Sequence, residues 1–389
     1  MMAEPYKLRW GMMATGGIVK KFTRDLLIDP ALRSSGDISH TVSAVASSTS
    51  KARAEQFIAE LGLPAPCAAY GSYEELVKDP CVDVVYVATP HSHHFQNAML
   101  ALEHGKHVLC EKAFTVNAAQ AKILVETARK KELFLMEAVW TRYFPLCVEI
   151  RELVKRGEIG EVLRVIADTS AGSDLEKDWS LDHRMVNINL AGGALLDLGI
   201  YSLTWAFQIL YHTLPPSDRA APSAISSQIT KHPATGADES TSILLEFPRS
   251  TPSGKLKSHA VAMTSIRVSI DPDEEGTAGP SVRIQGTNGE IQVYGDPYHP
   301  KRYKIIPRKI VGQLVKAVKQ VDAVFPGNGR GMYWEADEVA RCLRDGKLES
   351  ETMPLSESLV IMEVMDEVRR QGGLAYPEKI ESTQYPLQL

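Results

Sequence analysis

The chain has 389 residues, 44% of them hydrophobic and 23% charged, which excludes a disordered or fibrous protein. Its 43 basic and 48 acidic side chains give a formal net charge of −5, so no basic field draws in nucleic acid or an anionic membrane. No apolar run reaches the ~20 residues of a membrane span, the first residues lack an apolar signal core, and the five scattered cysteines read as reduced thiols, so a cytoplasmic protein of two or three domains is expected.

Strands and helices alternate through the first third. LRWGMM (8–13) reads as a buried strand and IVKKFTRDLL (18–27) as a helix. Strand HTVSAVA (40–46) and helix KARAEQFIAELG (51–62) follow, then strand VDVVYVAT (82–89) and helix HFQNAMLALEHG (94–105). KHVLCEK, NAAQAKILVETARKK and LFLMEAVW continue as strand, helix and strand up to Trp140. This alternation predicts right-handed βαβ units on a parallel sheet, a Rossmann-type α/β domain over residues 1–142. After Arg142 the pattern changes. A helix (CVEIRELVKRG), a strand (EVLRVIAD), a polar stretch and a helix over 195–211 lead into β runs from Ala224 to Tyr294. VRIQG-TNG-EIQVY predicts a hairpin centred on Asn288–Gly289, and DPDEEGTAGP (271–280) a mobile loop. Two helices, 332–345 and 356–371, close the chain. Residues 143–389 therefore read as an α+β domain with a mostly antiparallel sheet.

The first strand runs into Ala14-Thr15-Gly16-Gly17-Ile18-Val19. A tight turn here lets the following helix N-terminus face a pyrophosphate. Of the G-x-G-x-x-G/A pattern only Gly16 is kept, and the string by itself is equally a generic strand–helix turn; the βαβ series favours the dinucleotide. The second strand ends in Ser47-Ser48-Thr49-Ser50-Lys51-Ala52-Arg53. Hydroxyls and two cations, without the acid that would hold a ribose 2′-hydroxyl, favour NADP over NAD. The bland reading is a solvated Ser/Thr loop.

Thr89-Pro90-His91-Ser92-His93-His94 and Cys110-Glu111-Lys112-Ala113-Phe114 end the next two strands, where doubly wound sheets bind ligands. Three histidines in four residues suggest zinc, but no second ligand pair stands at the right spacing, so no metal is expected. A helix start with polar cofactor contacts accounts for them better.

In this order ATPHSHH, CEK, MEAVWTRYFP and AGGALLDLGIY resemble the glucose–fructose oxidoreductase/inositol dehydrogenase/MocA family over nearly the whole chain. Within it the similarity is greatest to fungal NADP-dependent D-xylose dehydrogenases and dimeric dihydrodiol dehydrogenases. The resemblance implies a Rossmann domain that binds the cofactor and a C-terminal open-faced sheet domain for substrate binding and dimerisation. It implies that Lys112 is the catalytic lysine, with Ala113 where the family has proline. It also aligns Gly192, Gly193, Asp197 and Tyr201 with the family's second motif, tyrosine rather than histidine standing last.

Asp197 and Tyr201, four apart on a helix, share one face. Gly192 and Gly193 would let substrate or cofactor approach the helix start. Tyrosine, with an ordinary pKa near 10, is a poor base at neutral pH, and a cation such as Lys112 favours the phenolate. The expected roles are Tyr201 as general base, Lys112 as its electrostatic partner on the substrate oxygen, and Asp197 orienting a sugar hydroxyl or Lys112. Cofactor contacts are expected from Thr15, Gly16, Gly17, Ile18, Ser47, Ser48, Lys51, Arg53, Thr89, Pro90, His91, His94, Glu111, Lys112, Trp140 and Arg142. Substrate contacts are expected from Lys112, Trp140, Tyr143, His183, Asp197 and Tyr201. For Trp140, Arg142 and Tyr143 hinge packing is an equal reading, as is a solvated loop for His183.

The function expected is NADP-dependent oxidation of an aldopentose, D-xylose, at the anomeric carbon to the lactone, by a homodimer joined through an exposed apolar face of the C-terminal sheet. Two rivals stand beside it: a trans-dihydrodiol dehydrogenase, which calls for an apolar, aromatic-lined pocket, and a non-catalytic dinucleotide-sensing regulator.

Overall fold

The computed structural model describes residues 4–251, 254–309 and 317–389, in two compact units. The first begins as the sequence predicts, with β1 (Tyr6–Met13), α1 (Gly17–Leu26), β2 (Ile38–Ala46) and α2 (Lys51–Leu61). Then come β3 (Ala68–Tyr70), α3 (Tyr73–Lys78), β4 (Val84–Val87), α4 (His94–Glu103), β5 (His107–Glu111), α5 (Ala118–Lys130) and β6 (Leu135–Ala138). The six strands are parallel in the order β3-β2-β1-β4-β5-β6. Leu8, Trp10, Met12, Val84, Val85 and Val87 are buried, as the central strands of a sheet covered on both faces must be. β3 and α3 escape a periodicity reading because they are short, although Ser72 and Glu75 form the capping box that marks the α3 start.

The second unit opens with α6 (Pro145–Lys155), β7 (Val162–Ser170) and α7 (Leu175–Asp178), then a π-helical turn (Leu195–Gly199) that runs into α8 (Ile200–Leu210). Strands β8 (Ala224–Lys231), β9 (Asp238–Thr251), β10 (Gly254–Ser265), β11 (Val282–Gly286), β12 (Gly289–Asp296), β13 (His299–Pro307) and β14 (Lys319–Asp322) complete it. Together with β7 they form an eight-stranded sheet ordered β14-β13-β12-β11-β7-β10-β9-β8, antiparallel except for the β7–β10 pair. Every residue of α8 is buried, the mark of a helix covered all round. Two of its polar side chains are bonded to backbone: the Trp205 indole donates to the Pro297 carbonyl at 2.9 Å and the Ser202 hydroxyl to the Met263 carbonyl at 2.8 Å.

Alternate residues (Val165, Ala167, Ala260, Ala262, Val282, Ile284, Ile291, Val293) form the sheet's buried face. The opposite face is mixed: Arg283 pairs with Glu290 at 2.6 Å, Arg164 with Gln285 at 2.6 Å and Lys304 lies over the Tyr294 ring, while Ile166, Val261 and Leu244 stand side by side across β7, β10 and β9 without being buried. The hairpin turn is displaced from its expected position. Gly286 pairs with Gly289, leaving Thr287 and Asn288 as the two-residue loop. The glycines are needed for space, since a Cβ at Gly286 would stand 2.2 Å from the Ile159 carbonyl oxygen and one at Gly289 2.6 Å from that of Ile306.

After α9 (Tyr333–Arg344), α10 (Leu355–Gln371) and α11 (Glu378–Glu381) end the chain. Phe325–Leu359 and Glu378–Leu389 belong to the first unit, which a single boundary at residue 142 does not anticipate. The tie combines a buried apolar face (Met332, Tyr333, Ala336, Val339, Ala340) with ion pairs and hydrogen bonds. Asp337 of α9, buried, accepts from Arg33 Nε and Nη2 at 2.8 Å and from His40 Nε2 at 2.9 Å. Asp25 of α1 accepts the Arg330 and Met332 N–H groups.

Candidate active site

β1 lies between β2 and β4, so the chain leaves the sheet in opposite directions on its two sides, the crevice where such folds take ligands. The turn after β1 carries Ala14 at φ 121°, a conformation natural to glycine. Gly16 caps α1 without a side-chain bond, and no acid stands in the first helical turn. A Cβ at Gly16 or Gly17 would meet no protein atom within 4 Å. Thr15 is half-buried and Ile18 exposed. At the end of β2 the Ser47 hydroxyl is 2.9 Å from that of Thr49, and Arg53 Nη1 reaches Thr49 at 3.4 Å. Ser48, Lys51 and Arg53 are exposed, and the α2 start again has neither side-chain cap nor acid. Two open helix N-termini, the second flanked by cations, fit a dinucleotide with a further phosphate on its ribose.

At the ends of β4 and β5 the sequence-predicted residues divide. Thr89 is half-buried, Pro90 exposed and His91 buried. His94 is fully buried, its ring nitrogens 2.9 Å from the Thr89 carbonyl and 2.8 Å from that of Ala113. Burial pushes its pKa down to about 4. The ring therefore ties one strand-end turn to the other and is a positioning residue rather than a cofactor contact. Glu111 accepts the Tyr86 hydroxyl and the Lys112 N–H. Lys112 is half-buried and its peptide bond to Ala113 is cis. Glu137, which the sequence reading passed over, accepts the Phe114 N–H at 3.0 Å on the same turn. Burial pushes its pKa up to about 7.

Two further expectations are corrected. Arg142 is fully buried, with Nη1 2.7 Å from Glu357 and Nη2 2.6 Å from the Thr352 carbonyl. A guanidinium enclosed this way gives a cofactor no surface. Tyr143 is buried and its hydroxyl reaches Met136 Sδ at 3.1 Å, so it is packing and not a substrate contact. Trp140 keeps 6% exposure. Among the described residues no cluster of His, Cys, Asp and Glu is arranged to hold a metal.

In the second unit the glycine pair serves the protein itself. A Cβ at Gly192 would stand 2.5 Å from the Arg184 carbonyl oxygen, and one at Gly193 (φ 129°) 1.9 Å from Asp238 Oδ1. The space expected to admit substrate or cofactor is filled by these groups. Asp238, fully buried, takes the Leu195 N–H at 2.6 Å and the Thr241 hydroxyl at 3.2 Å. Asp197 projects from the π turn, a feature frequent at functional sites, and accepts Arg184 Nη1 at 3.1 Å. Tyr201, 5% exposed, has its ring centre 5.5 Å from that of Tyr298. Tyr298 and Leu198 line a cavity of about 370 Å³ with Thr169, Ser170, Ala171, Ser269, Ile270, Asp271, Glu274 and Asp296. Asp271 and Glu274 come from the acidic loop, which the sequence reading did not connect with a site. His183 stacks on Trp179 at 4.8 Å, and Trp179 packs on a cluster that includes Leu175, Met185 and Leu198.

A parallel sheet with an open glycine turn at its switch point, joined to a second unit carrying a polar cavity, defines a dinucleotide-dependent oxidoreductase. The chain belongs to the GFO/IDH/MocA oxidoreductase family, matching its NAD-binding Rossmann fold over residues 8–139 and its C-terminal domain over 147–292. It is 55% identical over 386 residues to the D-xylose 1-dehydrogenase (NADP(+)) of Hypocrea jecorina, covering 98% of this chain and 96% of that protein. Identity to human trans-1,2-dihydrobenzene-1,2-diol dehydrogenase is 36% over 371 residues, 95% of this chain and 98% of the relative. Among solved structures, levoglucosan dehydrogenase in complex with NADH and levoglucosan aligns with a TM-score of 0.75 at 15% identity, covering 94% of this chain and 97% of that one. The aldose–aldose oxidoreductase from Caulobacter crescentus gives 0.71 at 20% identity, covering 94% and 98%. At such identities the likeness is one of fold.

Proposed function

We propose that the protein oxidises an aldopentose, D-xylose, at its anomeric carbon to the lactone with NADP. The observation that carries this reading is the cavity beside the Asp197–Tyr201 turn. Hydroxyls and carboxylates from Thr169, Ser170, Ser269, Asp271, Glu274 and Asp296 suit a polyhydroxylated substrate, and Tyr298 is the one aromatic side chain on its wall. The relative named for NADP-dependent xylose oxidation supports the same substrate and cofactor. The residues of the glycine turn and of Ser47–Arg53 would hold the dinucleotide, which when bound accepts the hydride.

Oxidation breaks the anomeric C–H and O–H bonds and forms the lactone carbonyl. In this reading Tyr201 takes the hydroxyl proton, and the Lys112 ammonium stabilises both the phenolate and the charge developing on the substrate oxygen. Asp197, held by Arg184, accepts from a second sugar hydroxyl. Glu111 fixes the backbone at Lys112. A homodimer joined through the sheet face that carries Ile166, Val261 and Leu244 fits the same reading, as do five free thiols in a reducing cytoplasm. Among the described residues no helix is long and apolar enough to cross a membrane.

The 36% identity to the human dihydrodiol dehydrogenase favours a second reading, oxidation of trans-dihydrodiols. Free aldoses and a trans-dihydrodiol, each with NADP and NAD and followed at the reduced-nicotinamide absorbance, separate the two. D-xylose with NADP is expected to give the highest kcat/KM. Turnover of the diol without turnover of any aldose would overturn the proposal.

A further inference from the structure

Backbone pairing between β5 and β6 ends at Glu111 and Ala138. Beyond it the chain turns through Lys112-Ala113-Phe114, and side chains meet its backbone groups in place of a neighbouring strand. The Lys112 N–H donates to the Glu111 carboxylate at 3.2 Å, the Ala113 carbonyl is 2.8 Å from His94 Nδ1, and the Phe114 N–H donates to Glu137 Oε1 at 3.0 Å. Glu111 belongs to β5 itself and His94 to α4. Glu137 reaches the turn from β6, where it stands opposite Cys110.

Phe114 is fully buried, so its N–H needs an acceptor within the protein. A carboxyl is a costly group to supply one. Glu137 keeps 1% exposure, burial raises its pKa, and among the described residues its Oε2 has no hydrogen-bond partner. The bond to Phe114 is therefore the contact that gives this side chain its direction. Oε1 can accept it in either protonation state, because the proton of a neutral carboxyl can sit on Oε2. Reach, rather than charge, is what the position demands. Phe114 is two residues from Lys112, so a displaced Phe114 amide displaces the ammonium as well. Misplacing a reacting group by about 1 Å can cost about a hundredfold in rate.

We propose that Glu137 is a positioning residue for Lys112, its Oε1 on the Phe114 N–H fixing the turn that aims the ammonium at the reacting hydroxyl. This rests on the reading of Lys112 as the partner of the substrate oxygen, and the test keeps the two claims apart. Two conservative variants separate reach from charge. Glu137→Gln keeps an acceptor oxygen at the same distance and loses the acid. Glu137→Asp keeps the acid and withdraws it by one methylene. Steady-state turnover is followed with D-xylose and NADP, or with whichever substrate the panel of aldoses and diol selects. In Glu137→Asp kcat is expected to fall about tenfold or more, with KM for the substrate within about twofold of wild type. Glu137→Gln is expected to stay near wild type. Added to Lys112→Met, Glu137→Asp is expected to cost less than about twofold more, because the ammonium it positions is gone.

Normal kcat in Glu137→Asp, or a Glu137→Gln enzyme as slow as Glu137→Asp, would overturn the proposal and leave the reading of Lys112 standing. So would an equal loss with and without Lys112. A Glu137→Asp chain that does not fold would make the residue part of the scaffold only, and would overturn it too. Normal turnover in Lys112→Met alone would remove the reading of Lys112, and the proposal with it.

Discussion

Asp238 accepts the Leu195 N–H at 2.6 Å, and these two residues, 43 positions apart, fix the start of the helical run that carries Asp197 and Tyr201. Burial raises the Asp238 pKa from 3.8 to about 6. An acid whose folded value exceeds its unfolded one binds its proton more tightly when folded. Its contribution to stability is thus fully present below pH 4 and is lost as the pH rises to about 6. A shift of about two units corresponds to about 3 kcal/mol. Between pH 4 and 7 the wild type should lose about that much stability relative to Asp238→Asn, as urea unfolding across this range would read. A stability difference independent of pH would contradict the assignment.

The two glycine sites predict opposite phenotypes. Gly193→Ala places a methyl group on the Asp238 carboxylate in a backbone conformation unsuited to alanine, and should destabilise the second unit by about 3 kcal/mol or more. Gly16→Val meets no protein atom at its Cβ, and should stay within about 1 kcal/mol of wild type. It should nevertheless weaken NADPH binding about tenfold or more if the turn holds the dinucleotide as proposed, because the added side chain would fill the space before the α1 N-terminus. Thermal melts and quenching of bound NADPH fluorescence measure the two effects separately.

Ala14 is an alanine at φ 121°. Such a residue stores about 1–3 kcal/mol, while glycine adds about 0.4–1 kcal/mol of unfolded-state entropy that folding must overcome. Ala14→Gly should therefore stabilise the protein by about 1 kcal/mol in denaturant unfolding. No gain would mean that the surrounding turn relaxes around the methyl group.

Tyr201→Phe and Lys112→Met should each lower kcat with D-xylose about a hundredfold or more. NADPH affinity in Tyr201→Phe should be unchanged, because in the proposed mechanism the phenol acts on the substrate. Normal turnover in either variant, by steady-state assay, would remove the role assigned to that residue.

Glu357→Gln should destabilise the first unit by about 3–5 kcal/mol, since it leaves the fully buried Arg142 guanidinium without its counterion. A chemical-denaturation midpoint close to wild type would show that the arginine's remaining partners, the Thr352 carbonyl among them, satisfy it.

Much of this was legible before any coordinates. The Rossmann elements follow from alternating β-branched runs and amphipathic segments, a signal contained within a few residues of chain. Lys112, Asp197 and Tyr201 were singled out as candidates because motif order along the chain carries a family resemblance. Short elements such as β3 and α3 were not found, because three to six residues cannot display a period. Arg142 and Tyr143 were misread for a different reason: their positions after a strand end suit a cofactor contact, and only burial reveals that they face the interior.

The sequence by itself determined the order of strands and helices, the glycine turn after β1, and a second strand that ends in hydroxyls and cations rather than an acid. Tertiary structure alone decided what each glycine makes room for, that Asp238 caps Leu195, that Arg184 pairs with Asp197, and that residues 325–359 return to the first unit. The division has a physical cause. Secondary structure is set by hydrophobic periodicity and capping among neighbours in the chain. Burial, hydrogen-bond pairing and raised pKa values depend on groups tens to hundreds of residues apart, such as Asp25 and Met332, which only the folded chain brings together.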